Sequence, residues 1–280
     1  MEKISIGGVT LHGFAQGGCQ TAFHVPEIRA VFDAGAVPGA TVDHVFLTHG
    51  HADHVAALPY IVSLRSIRRN KATLSVYLPD ELGEPMERLL EAMRDVQRDS
   101  EHEAKVRLYP ARPGYFFELG RGAVVHAMRS WHRGASLGWG VDRTTSKLKT
   151  EFVGMEGSEI GRLRREGVQV TDDVVSTLLV VSGDTRIDFL LEHERARRAK
   201  VLVHEVTTWE MDDANVEGAR RYGHTHVAEM AEHCEKFEGD YLVLTHRSMK
   251  HSREEAEEIL RRRFPAAMLD RILLFDGGDR

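Results

Sequence analysis

Short apolar runs alternate with longer amphipathic stretches from one end of the chain to the other. Ala30–Phe32, Val45–Leu47, Leu74–Tyr77 and Ala123–Val125 read as β-strands, as do Thr177–Val181, Val201–Val203, Tyr241–Leu244 and Ile272–Phe275. Each is too short for a buried helix and rich in strand-forming residues. Apolar residues recur at helical spacing across Val55–Arg69, with Pro59 in its early part. The same spacing runs through Pro85–Val96, Val227–Phe237 and Arg253–Phe264. Strands dispersed among helices predict a layered α/β architecture, expected as a single domain over residues 1–280. No internal repeat or low-complexity linker divides it. Residues 143–175 break the pattern: they are charged, Gly-containing and weakly periodic, apart from a short helix predicted around Glu159–Arg165. So long an irregular stretch predicts a flap or an insertion.

Composition narrows the class. A hydrophobic fraction of 42% and a charged fraction of 29% are those of a soluble globular chain. No apolar stretch approaches the length of a membrane span, and the first residues lack the apolar core of a signal peptide. Cys19 and Cys234 are too few for a disulfide scaffold, so two lone small hydrophobes in a reducing cytoplasm are expected. The formal net charge of −6 argues against a protein that coats nucleic acid. Any RNA contact must then use a local patch. The candidates are Arg65-Arg68-Arg69-Lys71, Lys147-Lys149, Arg162-Arg164-Arg165 and Arg261-Arg262-Arg263, each of which also reads as an ordinary solvated helix face.

The chemistry concentrates in Thr48-His49-Gly50-His51-Ala52-Asp53-His54, directly after Val45–Leu47. Three imidazoles and a carboxylate packed this closely repel or titrate against one another unless a cation organises them. Nitrogen and oxygen donors together suit a borderline metal such as zinc, with Mn2+ or Fe2+ as other options. Further candidates also follow apolar runs: Asp184 after Thr177–Val181, His204 after Val201–Val203, His246 after Tyr241–Leu244, and His132 beyond the run at Ala123. Strand ends at one edge of a sheet deliver side chains into one space on rigid supports.

His49 and His51, two apart, point the same way in extended backbone. Asp53 and His54 lie where the chain turns into a helix and face a neighbouring point. Two metals are therefore predicted: His49, His51 and His132 on one, and Asp53, His54 and His246 on the other, with Asp184 between them. Cations about 3.5–4 Å apart form a clamp suited to phosphodiester displacement. Taken singly, His132 also reads as a satisfied histidine, Asp184 as a turn residue or helix cap, and His246 as a hydrogen-bonded strand-end histidine.

The Thr-His-x-His-x-Asp-His run, the later His132, Gly183-Asp184-Thr185 and Leu244-Thr245-His246 together resemble the metallo-β-lactamase fold superfamily, from about Asp33 to His246. The resemblance implies a four-layer αβ/βα sandwich: two mixed sheets flanked by helices, with a dinuclear metal site at one edge. Within it the chain most resembles ribonuclease Z, the tRNA 3′-processing endonuclease. His204-Glu205-Val206-Thr207 is similar to that family's His-Glu-Ala-Thr motif, and Gly223-His224-Thr225-His226 to its Gly-His-Ser-Thr motif at a helix start. Leu244-Thr245-His246-Arg247-Ser248 looks like its Leu-Thr-His-x-Ser ending, and Ser136–Val141 like the strand after its third metal histidine.

The roles implied are specific. A metal-bound water, its pKa lowered to about 7, attacks phosphorus in line. Asp53 orients it as well as binding metal. His224 stabilises phosphate charge and protonates the leaving 3′-oxygen, oriented by Glu205. Asp33, in a strand-end Asp-x-Gly, supports the site together with His204, and His226 is a bystander on the helix. The expected substrate is precursor tRNA or a small phosphodiester, and a homodimer is implied by the same resemblance. The interval from His132 to Asp184 is too short for that family's full Gly-Pro-rich arm, and Gly154–Gly161 lacks proline. Alternatives are a superfamily hydrolase of another ester, such as a thioester, lactone or sulfate, or of a cyclic phosphodiester. An iron oxygen-reducing member is disfavoured because His51 stands where those proteins usually carry Glu. A non-catalytic RNA-binding scaffold is disfavoured because every expected ligand is present.

Overall fold

The computed structural model describes residues 1–37, 42–68, 72–98, 105–120 and 122–277; Arg69 and Lys71 lie outside them. The chain opens with β1 (Glu2–Ile6), β2 (Val9–Gly17), β3 (Gln20–Val25), β4 (Ala30–Phe32) and β5 (His44–Phe46), which leads into α1 (Ala52–Val55) and α2 (Leu58–Ile67). Then come β6 (Leu74–Pro79), α3 (Gly83–Gln97), β7 (Val106–Ala111), β8 (Phe116–Gly120), β9 (Ala123–Arg129) and β10 (Leu137–Leu148). They are followed by α4 (Gly157–Arg165), β11 (Thr171–Val181), α5 (Asp188–Glu192), α6 (Glu194–Arg198) and β12 (Val201–Glu205). The last part holds α7 (Val216–Tyr222), α8 (Val227–His233), β13 (Tyr241–Thr245), β14 (Arg247–Ser248), α9 (Arg253–Arg263), α10 (Ala266–Leu269) and β15 (Ile272–Leu274).

Among the described residues the strands form two mixed sheets. One runs β1-β2-β3-β4-β5-β6-β7, with β14 joined to the end of β2; the other runs β15-β13-β12-β11-β10-β9-β8. Parallel pairing links β4 through β7, and again β11, β12, β13 and β15. Both faces of β4, β5, β6, β12 and β13 are covered, and that is why they read as continuous apolar runs rather than alternating ones.

Side-chain alternation sets the layers. Phe46 turns inward and stacks on Phe32 and Tyr77, with Trp139 of the facing sheet against it. Its neighbours Val45 and Leu47 turn outward and pack with Leu58, Ile61 and Met86 of α2 and α3. In the second sheet Val201 and Val203 face the shared core, while Leu202 packs outward with Phe189, Met230 and Ile259. Each such buried side chain contributes roughly 1.5–3 kcal/mol. The outcome is the helix–sheet–sheet–helix sandwich expected.

Four local expectations are corrected. Residues 143–175 are regular rather than irregular: β10 and β11 pair antiparallel from Trp139↔Val181 out to Leu148↔Thr171, and α4 lies in the connection between them. The outer half of this hairpin is solvated on both faces, so its strands lack the apolar rhythm of core strands. The helix predicted over Val55–Arg69 is two: α1 begins earlier, at Ala52, and α2 restarts with Pro59 in its first turn, where proline's missing N–H costs nothing. Strands β1 to β3, β7, β8 and β14 were not expected. In β2 the inward positions alternate through Val9, Leu11 and Ala15, but Gly13 and the polar His12 and Gln16 dilute the signal. Arg65 is no surface cation. It is buried, and its guanidinium donates to the carbonyls of Val42 and Ala72. Arg162 and Arg262, by contrast, are exposed and pair with helix neighbours Glu159 and Glu258, as solvated faces do. Cys19 and Cys234 are both free; Cys234 is buried, whereas Cys19 is partly exposed with Sγ 3.1 Å from Met249 Sδ.

Candidate metal centre

The chemistry-bearing side chains gather where the central strands end. Asp33 follows β4, His49 to His54 follow β5, His132 follows β9, Asp184 follows β11, Glu205 ends β12, and His246 follows β13. The two sheets are tied together at this edge. Trp139 Nε1 donates to the carbonyl of Leu47 (3.0 Å), and Leu137 N to that of Thr48 (2.8 Å). Gly183 has φ 60°, and a Cβ there would stand 2.5 Å from the side chain of Thr48, so only glycine lets the turn carry Asp184 this close. Asp33 and His246 also hold left-handed φ values, 59° and 62°. Such backbone is unfavourable for His and persists where the surroundings fix it.

The side chains converge as three groups whose candidate ligand atoms lie within 4.8 Å of one another: His49, His51, His132 and Asp184; Asp53, His54 and His246; and Asp184, His224 and His246. His51 Nδ1 is 3.0 Å from His49 Nε2 and 3.3 Å from His132 Nε2. Across the site, His54 Nε2 is 3.3 Å from His246 Nε2. Asp184 stands between, with Oδ2 3.7 Å from His49 and Oδ1 3.3 Å from His246. Asp53 Oδ2 lies 3.6 Å from both His54 and His246, and takes a hydrogen bond from Gly18 N (3.0 Å).

Outer partners dictate which nitrogen faces inward. His54 donates from Nδ1 to Asp33 Oδ2 (2.8 Å), His246 from Nδ1 to the Thr207 hydroxyl (2.9 Å), and His132 from Nδ1 to the carbonyl of Gly223 (3.0 Å). His49 Nδ1 lies 3.0 Å from the Thr48 hydroxyl, which itself donates to Asp33. Each ring therefore turns a bare Nε2 toward the centre, the arrangement that fixes a histidine as a metal ligand. Lone pairs facing one another at hydrogen-bond distance repel unless positive charge sits among them. Asp184 Oδ1 adds a buried acceptor with no hydrogen-bond partner. These donors fit divalent cations.

The electrostatics agree. Burial pushes His49 and His132 below the ordinary imidazole value. Burial also works against a charge on His54, yet Asp184, Asp33 and Asp53 overcome it and push that ring up to about 9. Burial alone favours a neutral Asp184, but the imidazoles of His246, His54 and His49 hold it well below the usual carboxylate range. Asp53 is likewise lowered against its burial, by His246 and His54. The carboxylates make the slot one that favours positive charge.

His224 belongs to the third group, and Glu205 stands behind it. His224 donates from Nδ1 to Glu205 Oε1 (2.9 Å), and its ring lies 5.8 Å from that of His246. Burial lowers the basicity of His224, but the Glu205 carboxylate outweighs it and raises the ring to about 9. Glu205 is itself gripped by Thr185 N (3.0 Å) and the Thr207 hydroxyl (2.9 Å).

Among the candidates, His204 is not in these groups. It is fully buried, donates from Nδ1 to the carbonyl of Glu205 (2.7 Å) and rests on Phe189. His226 is not on the helix face but caps α8: its Nδ1 accepts from Ala228 N, and Glu229 answers with a bond to the His226 N–H. Two contributors went unnoticed in the sequence, Thr48 and Thr207. The only signal for either was its place inside a motif.

A model of the Beta-lactamase superfamily domain matches residues 25–155. The chain is 35% identical over 265 residues to tRNase Z TRZ1 of Arabidopsis thaliana, covering 92% of this chain and 93% of that one. In fold it is similar to the metallo-β-lactamase fold protein YhfI from Bacillus subtilis, with TM-score 0.62, 15% identity and 97% of each chain covered. It is also similar to the short form of human tRNase Z, with TM-score 0.60, 17% identity and 96% of each chain covered. Fold and site together define a metal-dependent hydrolase of the metallo-β-lactamase fold that uses divalent metal. Within that class the chain belongs to the tRNase Z, or ribonuclease Z, family. No helix among the described residues is long and apolar enough to cross a membrane.

Proposed function

We propose that this enzyme is an endoribonuclease of the tRNA 3′-processing type, working in the cytoplasm as one catalytic domain with two zinc ions. The observation that carries the reading is the pairing of His224 with Glu205 at 2.9 Å, beside His and Asp groups able to hold divalent metal. It is supported by the 35% identity to a tRNase Z over nearly the whole chain. His49, His51 and His132 are assigned to one ion and Asp53, His54 and His246 to the other, with Asp184 between them. Bound there, such ions supply Lewis-acid charge at the phosphate and water acidified to a pKa of about 7.

The chain's own groups then divide the work. Asp53, ionised and held by Gly18 N, orients the attacking water toward phosphorus. His224 is protonated at neutral pH, because Glu205 takes its Nδ1–H and stabilises the charge. Its Nε2–H is left to neutralise the phosphate oxygens and to pass a proton to the leaving 3′-oxygen. Asp33 and the Thr48 and Thr207 hydroxyls hold the rings in register.

The hairpin of β10 and β11 with α4 at its tip is assigned as a shortened arm for RNA. A homodimer goes with this reading. Tyr60 and Ile67 of α2 are exposed, and with Leu90 and Met93 of α3 they line a cleft of about 1110 Å³.

Elemental analysis joined to cleavage of a precursor tRNA bearing a 3′ trailer tests the proposal. Two metals per chain and a product ending in a 3′-hydroxyl are expected. Turnover of bis(p-nitrophenyl) phosphate with no RNA cleavage assigns the centre to a small phosphodiester instead.

A further inference from the structure

We propose that Tyr222 and Arg133 form a stacking site for one nucleobase of the RNA, that of the nucleotide whose 3′-oxygen leaves. This rests on the reading of the centre as an RNA phosphodiesterase. The Arg133 guanidinium lies over the Tyr222 ring, with Cζ 5.3 Å from its centroid. Tyr222 is 55% exposed, a large aromatic surface left to solvent in a chain that buries most of its rings.

The position of the pair is fixed by the metal centre itself. Tyr222 ends α7, and Gly223 follows with φ 79°. A Cβ on Gly223 would stand 2.9 Å from the Cα of His132, so only glycine permits this approach. The Gly223 carbonyl then accepts from His132 Nδ1, which pins the end of α7 against that ring. Arg133 is the residue after His132, and His224 is two residues after Tyr222. The rings of His132 and His224 are 5.0 Å apart. Tyr222 and Arg133 therefore stand one step outside the cluster, on the side where His224 protonates the leaving oxygen.

Every nucleobase offers a π-face, and single-stranded RNA is held by stacking on aromatic rings and arginine planes. A guanidinium beside the ring also neutralises a neighbouring phosphate, which a chain with net charge −6 must do locally. The nucleotide that donates the leaving oxygen has its sugar at His224, so its base falls toward residue 222. Purines stack more strongly than pyrimidines and are the preferred occupants.

The test uses metal-loaded enzyme and a precursor RNA that carries either a normal base or an abasic sugar at that nucleotide. For the normal RNA, Tyr222→Leu is expected to raise KM by roughly 5- to 100-fold with kcat little changed. Tyr222→Trp restores KM, and Arg133→Gln raises it in the same direction. For the abasic RNA, wild type and Tyr222→Leu have the same KM. As a readout apart from turnover, 2-aminopurine at that position is quenched on binding wild type and not on binding Tyr222→Leu. Metal content and circular dichroism report whether each variant has folded. Equal KM values for the normal RNA, or an equal loss on the abasic RNA, overturn the stacking site alone. Wild-type enzyme that cleaves no RNA at all overturns the functional reading as well.

Discussion

Nδ1 of His54 lies 2.8 Å from Oδ2 of Asp33, and neither side chain is open to solvent. The carboxylate accepts a hydrogen bond from Nδ1–H and leaves Nε2 facing Asp53, Asp184 and His246. It also accepts from the backbone N–H and the hydroxyl of Thr48, so one buried acid sets both the ring and the strand end that carries His49. Asp33→Asn keeps the shape and removes the charge. Such partners of a ligating histidine typically tune metal affinity by about 10–100-fold. Calorimetric zinc titration should show that loss at the site that His54 serves. Unchanged affinity there removes the role given to Asp33.

Asp184 and His246 belong to more than one ligand group, so neither can be removed without disturbing the shared space. Asp184→Ala and His246→Ala should lower kcat/KM by roughly a thousandfold or more, about 4 kcal/mol of barrier, with the fold largely kept. Near-wild-type activity in either variant contradicts the second metal.

The pH profile carries a signature of Glu205. His224, raised to about 9, is protonated below that value and loses its proton as pH rises through it. Activity that needs a protonated His224 therefore holds across neutral pH and falls near 9. Glu205→Gln removes the charge that raised the ring and leaves burial, which lowers it. The descending limb should move to lower pH. If it stays where it was, His224 is not the acid, or Glu205 does not set its basicity. In His224→Ala the rate should fall more than the metal content does; equal losses make His224 a ligand instead.

Thr207 reaches three partners at once: its hydroxyl lies 2.9 Å from Glu205 Oε2, 2.9 Å from His246 Nδ1 and 3.2 Å from His224 Nδ1. Val has the same shape and no hydroxyl, so Thr207→Val frees the His246 ring and one Glu205 oxygen. A buried polar group left unmatched costs about 1–3 kcal/mol. Thr207→Val should weaken metal binding and shift the pH profile together, and Thr207→Ser should restore both. Failure of the serine variant to rescue makes the effect one of packing.

Much of this protein was legible in one dimension. The parallel strands of the core showed themselves because burial on both faces demands unbroken apolar runs, as in Tyr241–Thr245. The His and Asp residues that gather at the strand ends stood out because metal ligation allows few residue types and because rigid strand ends support them. Other strands were not legible. β2 buries Val9, Leu11 and Ala15, but Gly13 and the polar His12 and Gln16 mask that alternation, and the outer β10–β11 hairpin is solvated on both faces and needs no apolar rhythm.

By itself the sequence determined the layered architecture, the family resemblance and the His-Asp set, since hydrophobic period and ligand chemistry are properties of residue type and order. Tertiary structure alone decided which residues orient the rings. A hydroxyl such as that of Thr48 or Thr207 carries no signal until folding sets it 3 Å or less from an imidazole. Distances between residues far apart in sequence, like the 5.3 Å from Arg133 to Tyr222, arise only when strand ends and helix ends meet at one edge of the sandwich.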